Sequence, residues 1–201
     1  HLPLTALFHP AYGCFDRNYW HYKTFVDFPS AVYQQACLIL ALLSKNDFDG
    51  NNYYGNSEIL RLCYASMRFW RNIQNRNGSF NEWFPFEQSF VATAFTSYAV
   101  SESLLVLKDN IKNADFIAEG LLKSGNWLCR HDDTMVINHV AGAVLALYNI
   151  YLLTGSTDIK KGLDRHIENI QKHQDDEGWF SEYSGADPGY HTYAIDFLAK
   201  Y

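Results

Sequence analysis

A nine-residue phrase occurs twice in this chain and limits what the chain can fold into. Gln74-Asn-Arg-Asn-Gly78-Ser79-Phe80-Asn81-Glu82 returns as Gln174-Asp-Asp-Glu-Gly178-Trp179-Phe180-Ser181-Glu182, and both read Gln-x-x-x-Gly-x-Phe-x-Glu without a gap. Each copy follows an amphipathic stretch and leads, through a short polar loop, into a more apolar one. Repetition at one offset marks duplicated supersecondary units, so the units between the copies set the architecture.

Those units are helical. Residues 30–44, with Ala31, Val32, Ala36, Leu38, Ile39, Leu40, Ala41, Leu42 and Leu43, are apolar nearly all round, the pattern of a helix buried on most sides. Residues 57–74 place Ile59, Leu62, Cys63, Met67, Trp70 and Ile73 at three-to-four spacing, with Glu58, Arg61, Arg68 and Arg71 between them. That is an amphipathic helix with one wet face, and Asn56 or Ser57 is its natural N-cap. The cycle repeats: 89–107 is apolar and small, 113–129 amphipathic, 138–153 apolar all round and closed by Gly155, 157–173 amphipathic, and 190–201 apolar again. The predicted fold class is all-α, an incomplete (α/α) toroid of helical hairpins with alternating inner and outer helices, four inner and three outer. An α-solenoid is the alternative, though its helices would bury more equally. Residues 1–27 form an aromatic-rich arm, and 1–201 read as a single domain, large enough for a substantial core. The chain starts at His1 and stops inside a helical pattern, which reads as a piece of a longer chain with possible further domains.

Composition narrows the function classes. The formal charge is −6 and there is no basic stripe, which argues against nucleic acid as a partner. No segment reaches the uninterrupted apolar length of a membrane span, and no signal peptide is visible. Cys14, Cys37, Cys63 and Cys129 are scattered without a C-x-x-C and read as free thiols, which leans cytoplasmic and offers no zinc site.

In a ring of hairpins, every loop from an outer to an inner helix emerges on one rim. Segments 13–29, 75–88, 130–138 and 174–189 should lie there, and binding residues tend to sit on loops held by a rigid scaffold. The repeated phrase resembles the QW motif of the terpenoid-cyclase and prenyltransferase toroids, and the equivalent turn in α/α-toroid carbohydrate enzymes. The resemblance implies a structural role for Gln74, Gly78, Phe80, Gln174, Gly178 and Phe180: the Gln satisfies a helix end, the Gly makes the turn, the aromatic plugs neighbouring helices. Cyclase activity is not implied. Asp132-Asp133 and Asp175-Asp176 do not make the Asp-rich motif those enzymes need.

Asn138-His139 opens the third inner helix and Tyr190-His191-Thr192-Tyr193 the fourth. Here the chain resembles the toroid domain of heparinase II/III and alginate-lyase-type polysaccharide lyases, where an Asn-His pair begins one inner helix and a catalytic Tyr begins the next. The resemblance implies β-elimination on an oligo- or polysaccharide containing uronic acid, with no metal and no cofactor. Asn138 would stabilise the developing dianion, His139 or Tyr190 would abstract the proton next to the carboxylate, and Tyr190 would protonate the leaving oxygen, with His191 beside it. Substrate contacts would come from Trp20, Tyr22, Trp83 and Trp179, which can stack on sugar rings, from the cations Arg17 and Lys23, and from Glu82 and Glu182 at the ends of the two phrases. Where the alginate-lyase pattern has an Arg before its Tyr, this chain has Tyr183-Ser184-Gly185-Ala186-Asp187.

Other readings stay open. Asn138-His139 also suits a helix cap with a satisfied histidine, Tyr190 aligns with Phe90 and suits core packing, and the aromatic arm suits packing across a helix layer. The carboxylates Glu82, Glu182, Asp16, Asp133 and Asp187 would serve a glycoside hydrolase that places two acids on either side of a water. A non-catalytic toroid that binds a glycan or caps a larger enzyme is the third reading.

Overall fold

Alternating apolar and amphipathic segments become seven α-helices among the described residues. The computed structural model describes residues 5, 9–15, 29–108, 114–133 and 135–201. A 3-10 stretch, Ala31–Ala36, runs into α1 (Cys37–Lys45), followed by α2 (Ser57–Asn72), α3 (Phe90–Val106), α4 (Asp115–Leu128), α5 (Ile137–Thr154), α6 (Thr157–Lys172) and α7 (Pro188–Lys200). No strand forms among the described residues; isolated bridges pin the loops.

Local chemistry sets the boundaries. Asn56 accepts from the N–H groups of Glu58 and Ile59 at the start of α2, Ser89 accepts from Ala92 at α3, and Ser156 from Ile159 at α6. Asp187 caps α7 with Pro188 in the first turn, so this helix begins two residues before the apolar pattern at 190. Gly155 ends α5 in the left-handed conformation, at φ 67°.

The two kinds of helix separate into two rows. The apolar helices neighbour one another in the order α1, α3, α5, α7, and the amphipathic ones in the order α2, α4, α6, while α1–α2, α3–α4 and α5–α6 pack as hairpins. One contiguous core runs from Phe15 to Phe197. α5 is its most enclosed element and touches α3, α4, α6 and α7. It is also the one helix among the described residues long and apolar enough to cross a membrane, but 67% of it is buried inside the protein. Gly142 makes this possible on one side: any side chain there would collide with the ring of Phe95, which in turn packs on Phe197 at 4.9 Å.

The repeated phrase is the joint between an amphipathic helix and the next apolar one. In the first copy Gly78 sits at φ 100°, where only glycine is unstrained, and the Asn75 N–H closes the turn on the Ser79 carbonyl. Phe80 is fully buried, stacked on Trp70 at 4.7 Å, and its N–H donates to Thr93 Oγ1. In the second copy Asp175 N–H closes on the Trp179 carbonyl, Gly178 sits at φ 92°, and the Phe180 N–H donates to His191 Nδ1. A third joint lies at Gly13-Cys14-Phe15, where Gly13 has φ 90° and the Phe15 N–H donates to Gln34 Oε1.

Candidate functional site

Two of the loops expected on one rim, 130–138 and 174–189, meet, and the 75–88 loop is tied to the start of the 3-10 helix. Val136 bridges to Glu182, the Tyr183 N–H donates to the Met135 carbonyl at 2.8 Å, and the Ala31 N–H donates to the Asn81 carbonyl. The structure brings Glu82, Asp133, His139, Glu182, Tyr183 and Tyr190 into one neighbourhood: the fields of Tyr190, Asp133, Glu182 and Glu82 all reach the Tyr183 hydroxyl.

α5 has no capping side chain of its own at Val136. Glu182 supplies the cap from the following hairpin. Its Oε1 accepts from the Asn138 N–H and its Oε2 from Asn138 Nδ2, both at 2.8 Å. A carboxylate at a helix N-terminus is favoured by the macrodipole. Asn138 and Glu182 are each 2% exposed, so the pair forms a sealed clasp and the Asn138 carboxamide is engaged by protein.

The adjacent residue is turned differently. His139 is half-buried, with Nδ1 2.8 Å from Asp133 Oδ2, and the edge of its ring meets Phe95 at 5.9 Å. Burial pushes the Asp133 carboxyl up, but the hydrogen bond and charge of His139, with the N–H groups of Met135 and Val136, outweigh it and hold the group below its ordinary value. In the neutral imidazole, a carboxylate on Nδ1 fixes the tautomer and leaves Nε2 as the proton acceptor.

Glu82 carries the opposite perturbation. Burial raises its carboxyl above the ordinary value; the Ser89 hydroxyl, 3.0 Å from Oε2, and His139 oppose the rise, and Glu87 adds to it. The loop that follows is rigidly held. The Glu87 carboxylate accepts the N–H groups of Glu82 and Trp83 at 2.8 and 2.7 Å, and Phe86 and Gln88 both adopt positive φ. Non-glycine residues held in the left-handed region store strain, a frequent property of binding loops. This loop exposes Trp83, Phe84 and Phe86, and Phe86 borders an open groove of about 620 Å³ shared with Asn75, Arg76 and Asn77.

In the loop before α7, Tyr183 and Ser184 also have positive φ, and the Tyr183 ring packs on Tyr190 at 5.6 Å. Both tyrosines are open to solvent, at 58% and 42% exposure. Burial is the first cause of a raised Tyr183 hydroxyl, reinforced by its acidic neighbours.

No family model matches the chain, and neither a curated protein nor a solved structure does. Residue roles therefore follow from geometry and charge.

The remaining sequence-derived positions divide. His191 accepts the Phe180 N–H at 3.3 Å and packs on that ring, so it serves the joint. Trp179 is half-buried and its carbonyl closes the same turn. Asp187 caps α7, and Asp132 accepts from Asn169 Nδ2. Arg17, Trp20, Tyr22, Lys23 and Asp16 lie outside the described residues. Tyr183 and Glu87 were not picked out by sequence; their positions depend on loop dihedrals that no residue pattern announces. Among the described residues no group of three or more His, Cys, Asp or Glu is placed to hold a metal ion.

Proposed function

We propose that the chain is a carbohydrate-active protein, that its two helix rows curve into an incomplete α/α toroid, and that the rim cluster performs acid–base chemistry on a glycan. The observation that carries this reading is the Asp133–His139 pair beside Glu82, with opposite shifts on the two carboxyls, next to a strained loop that exposes Trp83, Phe84 and Phe86. Exposed aromatic faces are what a sugar ring stacks on, and groups with proton affinities driven apart divide acid and base roles between them.

The leading reaction is lyase-like β-elimination. His139 Nε2 takes the proton next to the uronate carboxyl, the electron pair forms the new double bond, the bond to the leaving oxygen breaks, and that oxygen takes a proton from Tyr190 or Tyr183. Glu82 in its protonated form donates a hydrogen bond to the developing dianion, in place of the Asn138 carboxamide that Glu182 engages. Hydrolysis of a neutral glycan is the second reading. It is favoured by the carboxyls around Tyr183 and by the acid-like Glu82 opposite an ionised Asp133.

The test is incubation of the protein with uronate polymers and with neutral glycans. Absorbance from an unsaturated product supports elimination, and new reducing ends without it support hydrolysis. Binding without either product, or silence, refutes the catalytic reading. His139→Ala should lower the rate by about 10²–10⁴-fold, the usual share of a positioned acid or base. Because Glu82 must be protonated, the rate should fall as pH rises through its pKa, which lies above 4.5, and Glu82→Gln should remove that limb.

A further inference from the structure

Two adjacent acids face two histidines on different helices. Asp133 Oδ2 holds His139 of α5, while Asp132 turns toward α6. Asn169 Nδ2 donates to both oxygens of the Asp132 carboxylate, at 3.0 and 3.1 Å. Asp132 Oδ1 also accepts the Asp133 N–H at 3.0 Å. The same oxygen lies 3.7 Å from Nδ1 of His166, one turn before Asn169 on α6. A chain of contacts thus runs from α6 through Asp132 and Asp133 to the His139 ring.

The 3.7 Å separation has a chemical cause. His166 is fully buried, and its Nε2 lies 3.0 Å from the Leu128 carbonyl, which can only accept. That carbonyl outranks Arg165 Nη2, at 3.4 Å, as the partner of Nε2. Nε2 therefore carries the hydrogen, and Nδ1 of the neutral ring turns a lone pair toward a carboxylate. Two acceptors do not bond, and Nδ1 is buried without a hydrogen-bond partner among the described residues. A proton on Nδ1 converts the opposition into a charge-assisted bond, with an ordinary length of about 2.7–2.9 Å. The groups around the ring are few. Phe90 meets it edge-on from α3 and the Leu128 carbonyl from α4, both uncharged, while Arg165 on α6 and Asp132 are the charges that act on it among the described residues. Burial pushes the imidazole below its ordinary 6.5; Arg165 adds to that, and the Leu128 carbonyl and Asp132 oppose it. The ring is neutral at neutral pH and takes its proton as pH falls below 6.5.

We propose that His166 is a positioning residue for His139, operated by a proton and acting through Asp132 and Asp133. Protonated Nδ1 closes on Asp132 Oδ1, the Asp133 N–H bonded to that oxygen follows, and Asp133 Oδ2 draws back from His139 Nδ1. Asn169 keeps the Asp132 carboxylate in place to receive the new bond. The consequence for the chemistry rests on the reading of His139 as the base. With His166 neutral the base is held in register, and in acid the closed contact on α6 releases it.

The test follows two NMR signals of the whole protein across pH, the Asp133 backbone amide and the His139 Nδ1–H. Both are expected to shift in step with the ring protons of His166. His166→Leu should abolish that step. Asp132→Ala, which breaks the chain of contacts at an exposed position and leaves His166 in place, should abolish it too, so the result does not depend on how His166→Leu folds. A histidine that only fills the core would change the melting temperature without moving the His139 Nδ1–H. The proposal is overturned if either signal ignores the protonation of His166 in the unaltered protein, or if the step persists in Asp132→Ala. In the glycan assay, Asp132→Ala should remove from the acid limb of kcat the part that follows His166, with KM unchanged; an acid limb identical to that of the unaltered protein would also overturn the proposal. Silence in that assay refutes the catalytic reading alone, because the NMR signals decide the coupling without turnover.

Discussion

Glu182 caps α5 from 44 residues away, and its removal strands two donors at once. Glu182→Ala leaves the Asn138 N–H and Nδ2 buried without an acceptor, which costs about 1–3 kcal/mol per stranded group. Thermal melts should show a fall of roughly 2–4 °C for each kcal/mol in a chain of this size. Glu182→Gln keeps one acceptor oxygen and should lose less. His166 carries a separate signature. It is fully buried, and its Nε2 lies 3.0 Å from the Leu128 carbonyl. Burial lowers its pKa below 6.5, against the opposing pull of that carbonyl and of Asp132. The unfolded chain therefore binds the proton more readily than the folded one, and stability should be full above pH 6.5 and decline as pH falls toward the lowered folded value. His166→Leu should flatten that decline, as read by denaturant midpoints across pH. At this scale the sequence pointed to Asn138-His139 but could not separate the pair. Neighbours on a helix face different directions, so one side chain enters the clasp with Glu182 and the other turns to Asp133.

Among the elements, the glycine joints offer the sharpest contrast. Gly78→Ala and Gly178→Ala impose the same left-handed strain, about 1–2 kcal/mol. Only the first also drives a methyl into the backbone of α4, which cannot yield as a side chain would. Gly78→Ala should therefore destabilise by well over Gly178→Ala, and a difference of zero in paired denaturation curves would contradict the covered joint. The two intact phrases were legible because Gln, Gly and Phe each answer to a fixed local geometry. The third joint was hidden. Only Gly13-Cys14-Phe15 survives of its pattern, and the groups that accept the Phe N–H, Gln34, Thr93 and His191, lie at different distances along the chain.

At the scale of the molecule, hydrophobic periodicity disclosed the number, order and kind of the seven helices among the described residues, because a face in water and a face in the core demand different side chains. It placed the loops of 13–29, 75–88, 130–138 and 174–189 on one rim, and the bridge between Val136 and Glu182 joins two of them. Periodicity says nothing of loop dihedrals, so the strained turns at Phe86 and Tyr183 came from structure alone. The uneven enclosure of the apolar row has a consequence for dynamics. α5 buries most of its length against four helices, whereas α7 buries Ala194 and Phe197 and leaves Tyr193 and Ile195 in solvent. Amide hydrogen exchange should rank the helices accordingly. The α5 amides should exchange only through global unfolding, while those of α7 open earlier as a separate cooperative unit with a smaller free energy. Uniform protection across α5 and α7 would contradict this. On such a gradient, the last joint is the hinge about which the molecule first loosens.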